Sequence, residues 1–366
     1  MSELHLNSLE IINLRCFEHL TIEKLGRVNL IVGKNSVGKT CLLEAIRLYA
    51  TNANFADLMW LIAERGEMFP GISTDLSIKS ENLISLFNKM TSDIGRSVIQ
   101  IGSQSDDKNS VSINFDYFTE DNKNPLGIRI IKTEEPVSIE NLQIGLSVTI
   151  GEASRIYKFP LHVKQQLGNL ISSTFVKNCV YVPSNGLNKF FMPVYWDKVV
   201  LDGEENSVLE ALRLLDSDIE RFHVVSSPEQ PVERFAVVKT KKFDKPIRLR
   251  NLGDGIMRIS GIAIAAVQAK NGYLLIDEFE NGLHHSTQLE VWQFIFKIAK
   301  ELNIQVFATT HSWDCVEAFQ EASSENKDED ATLIRLQNKR SGKGIEAVVY
   351  NEDLLAKATR QQVEVR

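Results

Sequence analysis

The sequence predicts an α/β fold with a mixed central sheet, interrupted by a β-rich and partly helical insertion. Three observations lead there. The apolar run Val28 to Val32 enters a glycine-bracketed loop and then an amphipathic stretch, in the order strand, loop, helix. Two further apolar runs, 273–276 and 304–309, read as buried strands ending in acidic or polar residues. From about residue 98 the helical spacing gives way to short strands and polar turns.

Bulk properties narrow the class. A chain of 366 residues can form one large domain or two lobes, and 43% hydrophobic with 24% charged residues is ordinary for a globular protein. A net charge of -7 argues against wholesale coating of nucleic acid, while leaving room for a local basic groove. Cys16, Cys41, Cys179 and Cys315 are far apart and form no C-x-x-C pair, so neither a zinc site nor a disulfide framework is indicated. The N-terminus lacks a basic segment followed by an apolar core, and the run 259–269 is too short to span a bilayer. A cytoplasmic protein without membrane contact is expected.

Taken in order, Leu9 to Leu14 alternates and Leu20 to Ile22 continues after a turn. Two β-segments leading into the loop suggest a mixed sheet rather than a simple βαβ start. A helix is expected from Thr40 to about Tyr49, and others over 53–65 and 81–90, from apolar residues three and four apart. Strands follow at 98–101, 111–115, 128–131 and 146–150, as an antiparallel meander with its clearest turns at 106–109 and 121–125. Helical spacing returns at 162–175. A buried strand at 179–182 stops at Pro183, and 187–220 reads as helical, with Ser207 and Glu210 as a capping box. Residues 221–245 return to strand and lead into a basic stretch of Lys239, Lys241, Lys242, Lys245, Arg248 and Arg250; the polar run 323–330 reads as a solvated loop. The expected division is a core of 1–50 and 221–366, with an insertion at 51–220 whose strand 179–184 returns to the core.

The loop Gly33-Lys34-Asn35-Ser36-Val37-Gly38-Lys39-Thr40, followed by Cys41, matches G-x-x-x-x-G-K-[ST] between a strand and a helix. Such a loop wraps backbone N–H groups round a polyphosphate, which leaves little room for side chains at its glycines. The helix starting near Lys39 adds its dipole, Lys39 reaches the terminal phosphates, and the Thr40 hydroxyl can ligate Mg²⁺.

The run 273–278 ends in Asp277 and Glu278. An acid at the C-terminal end of a parallel strand sits where ligands bind in open α/β sheets. Asp277 can hold Mg²⁺ through its water shell, and Glu278 can orient or deprotonate an attacking water. Surface acids at a strand end would be the plainer explanation, and the loop upstream argues against it. His311 ends the next strand, where a sensor of the terminal phosphate would sit. Gly253, Asp254 and Gly255 precede a helix expected over 259–270, and make either a second phosphate-facing helix end or a turn capped by Asp254. One loop already binds the nucleotide, so a second anion-binding end makes sense if it caps a nucleotide held by another subunit.

Together these residues resemble the ABC-type ATPase heads of the SMC, RecF and OLD (overcoming lysogenization defect) group, particularly stand-alone bacterial OLD-like ATPases. The likeness covers 9–49, 180–184 and 249–312, about a third of the chain, and is most specific over 274–284. It implies a P-loop NTPase of the ABC-head type, with 33–40 as Walker A, 252–255 as the signature loop, Asp277 and Glu278 as Walker B, 281–285 as the D-loop and His311 as the switch histidine. Gly253 stands where relatives usually carry a serine, so slow turnover is expected. No glutamine is clearly the Q-loop residue, for which Ser184 and Asn185 mark the place. Residues 312–366 are too few for the Toprim nuclease domain of OLD nucleases, so nuclease or toxic chemistry is expected in a separate polypeptide.

The resemblance implies an ATPase, using ATP and Mg²⁺, that forms a homodimer or higher oligomer through an ATP sandwich and regulates a partner effector in anti-phage defence. The alternative is a RecF-like DNA clamp in DNA repair, in which ATP gates a groove over 239–250. A transporter ATPase lacks coupling features here, and a small-molecule kinase would need neither 253–255 nor His311.

Overall fold

Six strands carry the glycine-bracketed loop. The computed structural model describes residues 3–64, 84–89, 97–104, 106–120, 128–130, 143–159, 178–187, 191–227, 234–326, 331–340 and 342–350. Within them β3 (Val28–Val32) lies at the middle of a sheet between β14 (Gln305–Thr309) and β15 (Ala331–Asn338). Beyond β14 come β13 (Tyr273–Ile276) and β9 (Cys179–Val182), and beyond β15 comes β16 (Ile345–Tyr350). All neighbouring pairs are parallel except β15 with β16. Both faces of the central strands are covered, which is why they read as continuous apolar runs. Leu30, Val32, Leu274, Ile276, Val306 and Ala308 enter one core, whereas Ile31, Leu275 and Phe307 enter the other.

The first core is closed by α3 (Phe191–Asp202), α4 (Glu205–Leu215), α5 (Asp254–Gln268), α6 (His285–Glu301) and α7 (Trp313–Asn326). The second contains α1 (Lys39–Ala50) and α2 (Phe55–Glu64), under an antiparallel sheet. That sheet runs β2 (Phe17–Ile22), β1 (Leu9–Leu14), β4 (Val98–Ser103), β5 (Asp106–Glu120), β7 (Gln143–Ile150), β8 (Ala153–Phe159), with β6 (Ile128–Ile130) also paired to β5. A third, small sheet joins β10 (Ile219–Ser226), β11 (Arg234–Thr240) and β12 (Ile247–Arg248). No helix among the described residues is long and apolar enough to cross a membrane.

Several sequence expectations need correction. The two β-segments before the loop do not join its sheet; β1 pairs with β4, and the mixed character comes from β16. The meander and the N-terminal hairpin therefore share one sheet, although they are far apart in the chain. Residues 106–109 are the start of β5, and the reversal falls between Ser103 and Asp106. The helix expected at 81–90 is described only over 84–89, where Leu86 and Phe87 are buried and Phe87 bridges to Leu14. Here tertiary pairing outweighs local spacing. Ser207 is not a cap: α4 already starts at Glu205, after the Gly203 turn, and the Ser207 hydroxyl donates to Glu204 Oε2 at 3.2 Å. Strand β10 replaces the end of the helix expected up to 220. Helix α5 begins at Asp254 rather than Ile259, because Gly253 supplies the N-cap conformation. The start of the run expected as a loop at 323–330 is the last turn of α7, with Ser323 buried. The turn at 121–125 and the helix at 162–175 lie outside the described residues.

Candidate functional site

Two helix N-termini define the polar ground of this fold. The first follows β3, where Gly38 (φ 94°) caps α1. A Cβ there would come within 2.6 Å of Cys16 Sγ and 2.8 Å of Phe17 Cζ, so the β1–β2 hairpin packs directly on the loop. A cavity of about 620 Å³ opens at this point. Asn35, Ser36, Gly38, Lys39, Thr40 and Cys41 line it from the loop, and Glu278 and His311 from the ends of neighbouring strands. Cys16 lines it too, a residue that spacing could not have pointed out. Gly33 and Lys34 contribute carbonyls instead, while Val37 is buried in the core.

Lys39 departs from the solvated side chain that the motif suggests. It is only 6% exposed, and its Nζ donates to Gly33 O at 2.6 Å and Lys34 O at 3.0 Å. Burial holds its pKa below the ordinary lysine value, against the pull of Asp277, Glu278 and Glu280. The third contact of Nζ is His311 Nδ1 at 3.2 Å. With Lys39 as an ammonium, Nδ1 must accept, so the ring proton sits on Nε2. That nitrogen lies 3.7 Å from Glu278 Oε1.

Beside them, the Thr40 hydroxyl donates to Asp277 Oδ2 at 3.1 Å. Asp277 is buried, and its other oxygen accepts from the Thr309 hydroxyl at 2.6 Å. An all-oxygen pair of one hydroxyl and one carboxylate suits Mg²⁺, which keeps several waters and takes few protein ligands. Glu278 has a left-handed backbone (φ 48°), fixed by Glu278 N–H donating to Thr309 Oγ1 at 2.8 Å. Asn281 Nδ2 donates to Glu278 Oε2 at 2.6 Å and to Ser184 O at 3.3 Å. Asn281 thus orients the acid, a role its place in the run 281–285 did not announce.

The second helix N-terminus is elsewhere. Leu249–Leu252 form a 3-10 turn, Gly253 (φ 102°) caps α5, and Asp254 makes no side-chain cap. Gly255 is forced by packing: a Cβ would meet Gly282 O at 2.8 Å. Asp254, Met257, Arg258, Asn281 and Gly282 line a different cavity of about 620 Å³, which shares no lining residue with the first. Ser184 and Asn185 line this second cavity, away from the glycine-bracketed loop. The structure therefore brings Lys39, Thr40, Asp277, Glu278 and His311 together and leaves 253–255 apart from them.

Sequence reasoning also missed Arg258. It is 4% exposed on α5 and donates to Pro183 O at 2.5 Å, Asp277 O at 2.6 Å and Glu278 O at 2.9 Å. Burial pushes its pKa down to about 10, leaving it charged at neutral pH. Glu280 is the other: its Oε1 accepts from His311 N–H at 2.8 Å. Half of the basic stretch, by contrast, is engaged locally. Lys242 pairs with Asp218 at 3.0 Å, Lys239 bonds the carbonyls of Thr240 and Phe243, and Arg248 lies 4.0 Å over the Phe235 ring.

The chain is similar to known proteins over most of its length. The model of the AAA ATPase domain family matches residues 5–178 and 196–316. An ATP/GTP phosphatase of Helicobacter pylori is 23% identical over 335 residues, 85% of this chain and 86% of its own. A DNA replication and repair protein RecF of Thioalkalivibrio sulfidiphilus is 44% identical over 50 residues, 14% of each chain. Among solved structures, an Smc head domain derived from Pyrococcus furiosus, bound to the C-terminal domain of ScpA, superposes with a TM-score of 0.50 at 12% identity, covering 97% of this chain and 98% of that one. The fold is that of a P-loop NTPase of the ABC-head type.

Proposed function

The chain belongs to the AAA ATPase domain family, and from that premise we propose that it binds ATP with Mg²⁺ in the loop cavity and hydrolyses it slowly as a head-to-head dimer. The observation carrying this reading is the pair of cavities. One holds Lys39, Thr40, Glu278 and His311, and the other holds the N-terminus of α5. A nucleotide sandwiched between two copies would meet the first set from one subunit and Gly253, Asp254 and Gly255 from the other.

In this mechanism the loop amides of Gly33 to Cys41 and the α1 dipole hold the phosphates. Thr40 and Asp277 would hold Mg²⁺, which neutralises phosphate charge when bound. Lys39 exchanges its carbonyl partners for phosphate oxygens. A water then attacks the γ-phosphorus, its proton passes to Glu278, and the bond to the β-phosphate oxygen breaks to release ADP. His311, with a proton on Nε2, stands beside Glu278 to sense the terminal phosphate. The missing hydroxyl at Gly253 leaves only backbone amides and the helix dipole on the opposite side, which favours slow turnover.

The finer reading is that the dimer regulates a separate effector, a nuclease or toxin, in anti-phage defence. Its support is the resemblance to stand-alone OLD-like ATPases. The Smc head of the same fold, bound to a domain of ScpA, offers an analogy for a separate partner chain.

Mixing two inactive variants tests the composite site. Asp254→Arg damages the capping loop and Lys39→Ala damages the phosphate loop. A heterodimer has one site with both parts intact, so phosphate release should return when one protein is titrated into the other at fixed total concentration. Wild-type activity independent of protein concentration, together with no rescue on mixing, would place the whole site within one chain and sink the dimer mechanism.

A further inference from the structure

We infer that Glu280 is a positioning residue for hydrolysis, holding the backbone of His311 so that its ring bridges Lys39 and Glu278. This rests on the proposed reading of the site as an ATPase. The loop after β13 is laced to the end of β14 by the Thr309 hydroxyl, which donates to Asp277 Oδ1 at 2.6 Å, and by three bonds from backbone N–H groups. Glu278 N–H donates to Thr309 Oγ1 at 2.8 Å, Phe279 N–H to Thr309 O at 2.9 Å, and His311 N–H to Glu280 Oε1 at 2.8 Å. Only the last acts on the histidine itself. The last backbone bond toward β3 is Thr310 N–H to Ile31 O at 3.1 Å, and the Glu280 carboxylate holds the next N–H along the chain. The ring then makes the two contacts that matter, 3.2 Å to Lys39 on the phosphate side and 3.7 Å to Glu278 on the water side.

The second oxygen of Glu280 strengthens the argument. Oε2 is buried and has no hydrogen-bond partner among the described residues. Burying an acceptor without a partner costs stability, so the carboxylate is held here against a local penalty. The carboxylate therefore fixes the histidine through one oxygen while the other stays unpaired.

The test compares Glu280→Ala and Glu280→Gln in the full chain, each alone and with His311→Ala. Loss of the anchor should lower kcat on the order of 100-fold, the effect of roughly 1 Å of misplacement at a reacting centre. ATP affinity should stay within about threefold, well under one kcal/mol. Glutamine keeps a carbonyl facing the His311 N–H, so Glu280→Gln should recover most of what alanine loses. In the His311→Ala background, Glu280→Ala should lower kcat no further. A merely structural Glu280 would instead give additive losses. Imidazole ¹⁵N resonances of His311 in the nucleotide-free protein give a readout independent of turnover, and Glu280→Ala should shift them while Glu280→Gln leaves them near wild type. Unchanged kcat in Glu280→Ala, additivity with His311→Ala, or unmoved His311 resonances would each overturn the inference. Absence of ATP hydrolysis by the wild type would instead refute the underlying ATPase reading.

Discussion

Gly38 and Gly253 both cap helices at positive φ, 94° and 102°, but ψ is 18° at the first and 170° at the second, and their surroundings are opposite. Around Gly38 the hairpin residues Cys16 and Phe17 leave no room for even one carbon, whereas nothing lies within 4 Å of the position a Gly253 Cβ would take. The phosphate loop is complete on its inner side, with Lys39 folded onto its carbonyls and the strand-end acids beside it. The α5 terminus is backed by Gly282 and Arg258 but open in front. One end is enclosed and the other bare, and the proposed sandwich between two copies would use both.

The largest effect is expected at the strand-end acid. Glu278→Gln keeps the shape and the Asn281 contact but cannot take a proton from water. Turnover should fall by about 10²–10⁴-fold while ATP binding persists, and an ATP-held dimer should accumulate. Sizing the variant in Mg-ATP decides this; a monomer with full turnover would remove Glu278 from the mechanism. Next in size is Lys39→Ala. Losing charge-assisted hydrogen bonds to phosphate should weaken ATP binding roughly 10- to 100-fold. Because Lys39 is buried and bonded to Gly33 and Lys34 carbonyls, thermal unfolding must be followed alongside affinity. Unchanged affinity would remove the central claim.

What the sequence reveals differs between the two ends for a physical reason. The strand–loop–helix pattern at 28–46 and the strand at 273–276 were legible because both faces of those strands are buried and the loop has fixed spacing. The residues that orient the chemistry were not. Arg258 acts on backbone carbonyls of Asp277 and Glu278, 19 and 20 positions along the chain, and no periodicity encodes such a contact. Glu280 reads as another acid in an acidic run, and its bond to the His311 N–H spans 31 positions. The N-terminal hairpin misled for a similar reason: alternation in Leu9 to Leu14 shows that a strand exists, but not that its partner is β4.

The smallest and sharpest effect concerns the two glycines themselves. Alanine at Gly38 must adopt the left-handed region, which costs about 1–2 kcal/mol, and at Gly253, with ψ 170°, a glycine-only region that costs about 1–3 kcal/mol. At Gly253 that is the whole cost, because a methyl group there points into open space. At Gly38 the same methyl also meets the Cys16 sulfur and the edge of the Phe17 ring, and overpacking of this kind adds roughly 1–3 kcal/mol. Gly38→Ala should therefore unfold at lower denaturant than Gly253→Ala, and both below wild type with unchanged m-values. Function should separate them further. Gly38→Ala should lose ATP affinity, since the hairpin shift opens the loop. Gly253→Ala should bind ATP as wild type does and lose turnover only at protein concentrations where dimers form. Equal destabilisation by the two substitutions would mean that Cys16 and Phe17 give way freely, and the hairpin would then not be the wall that completes the phosphate loop.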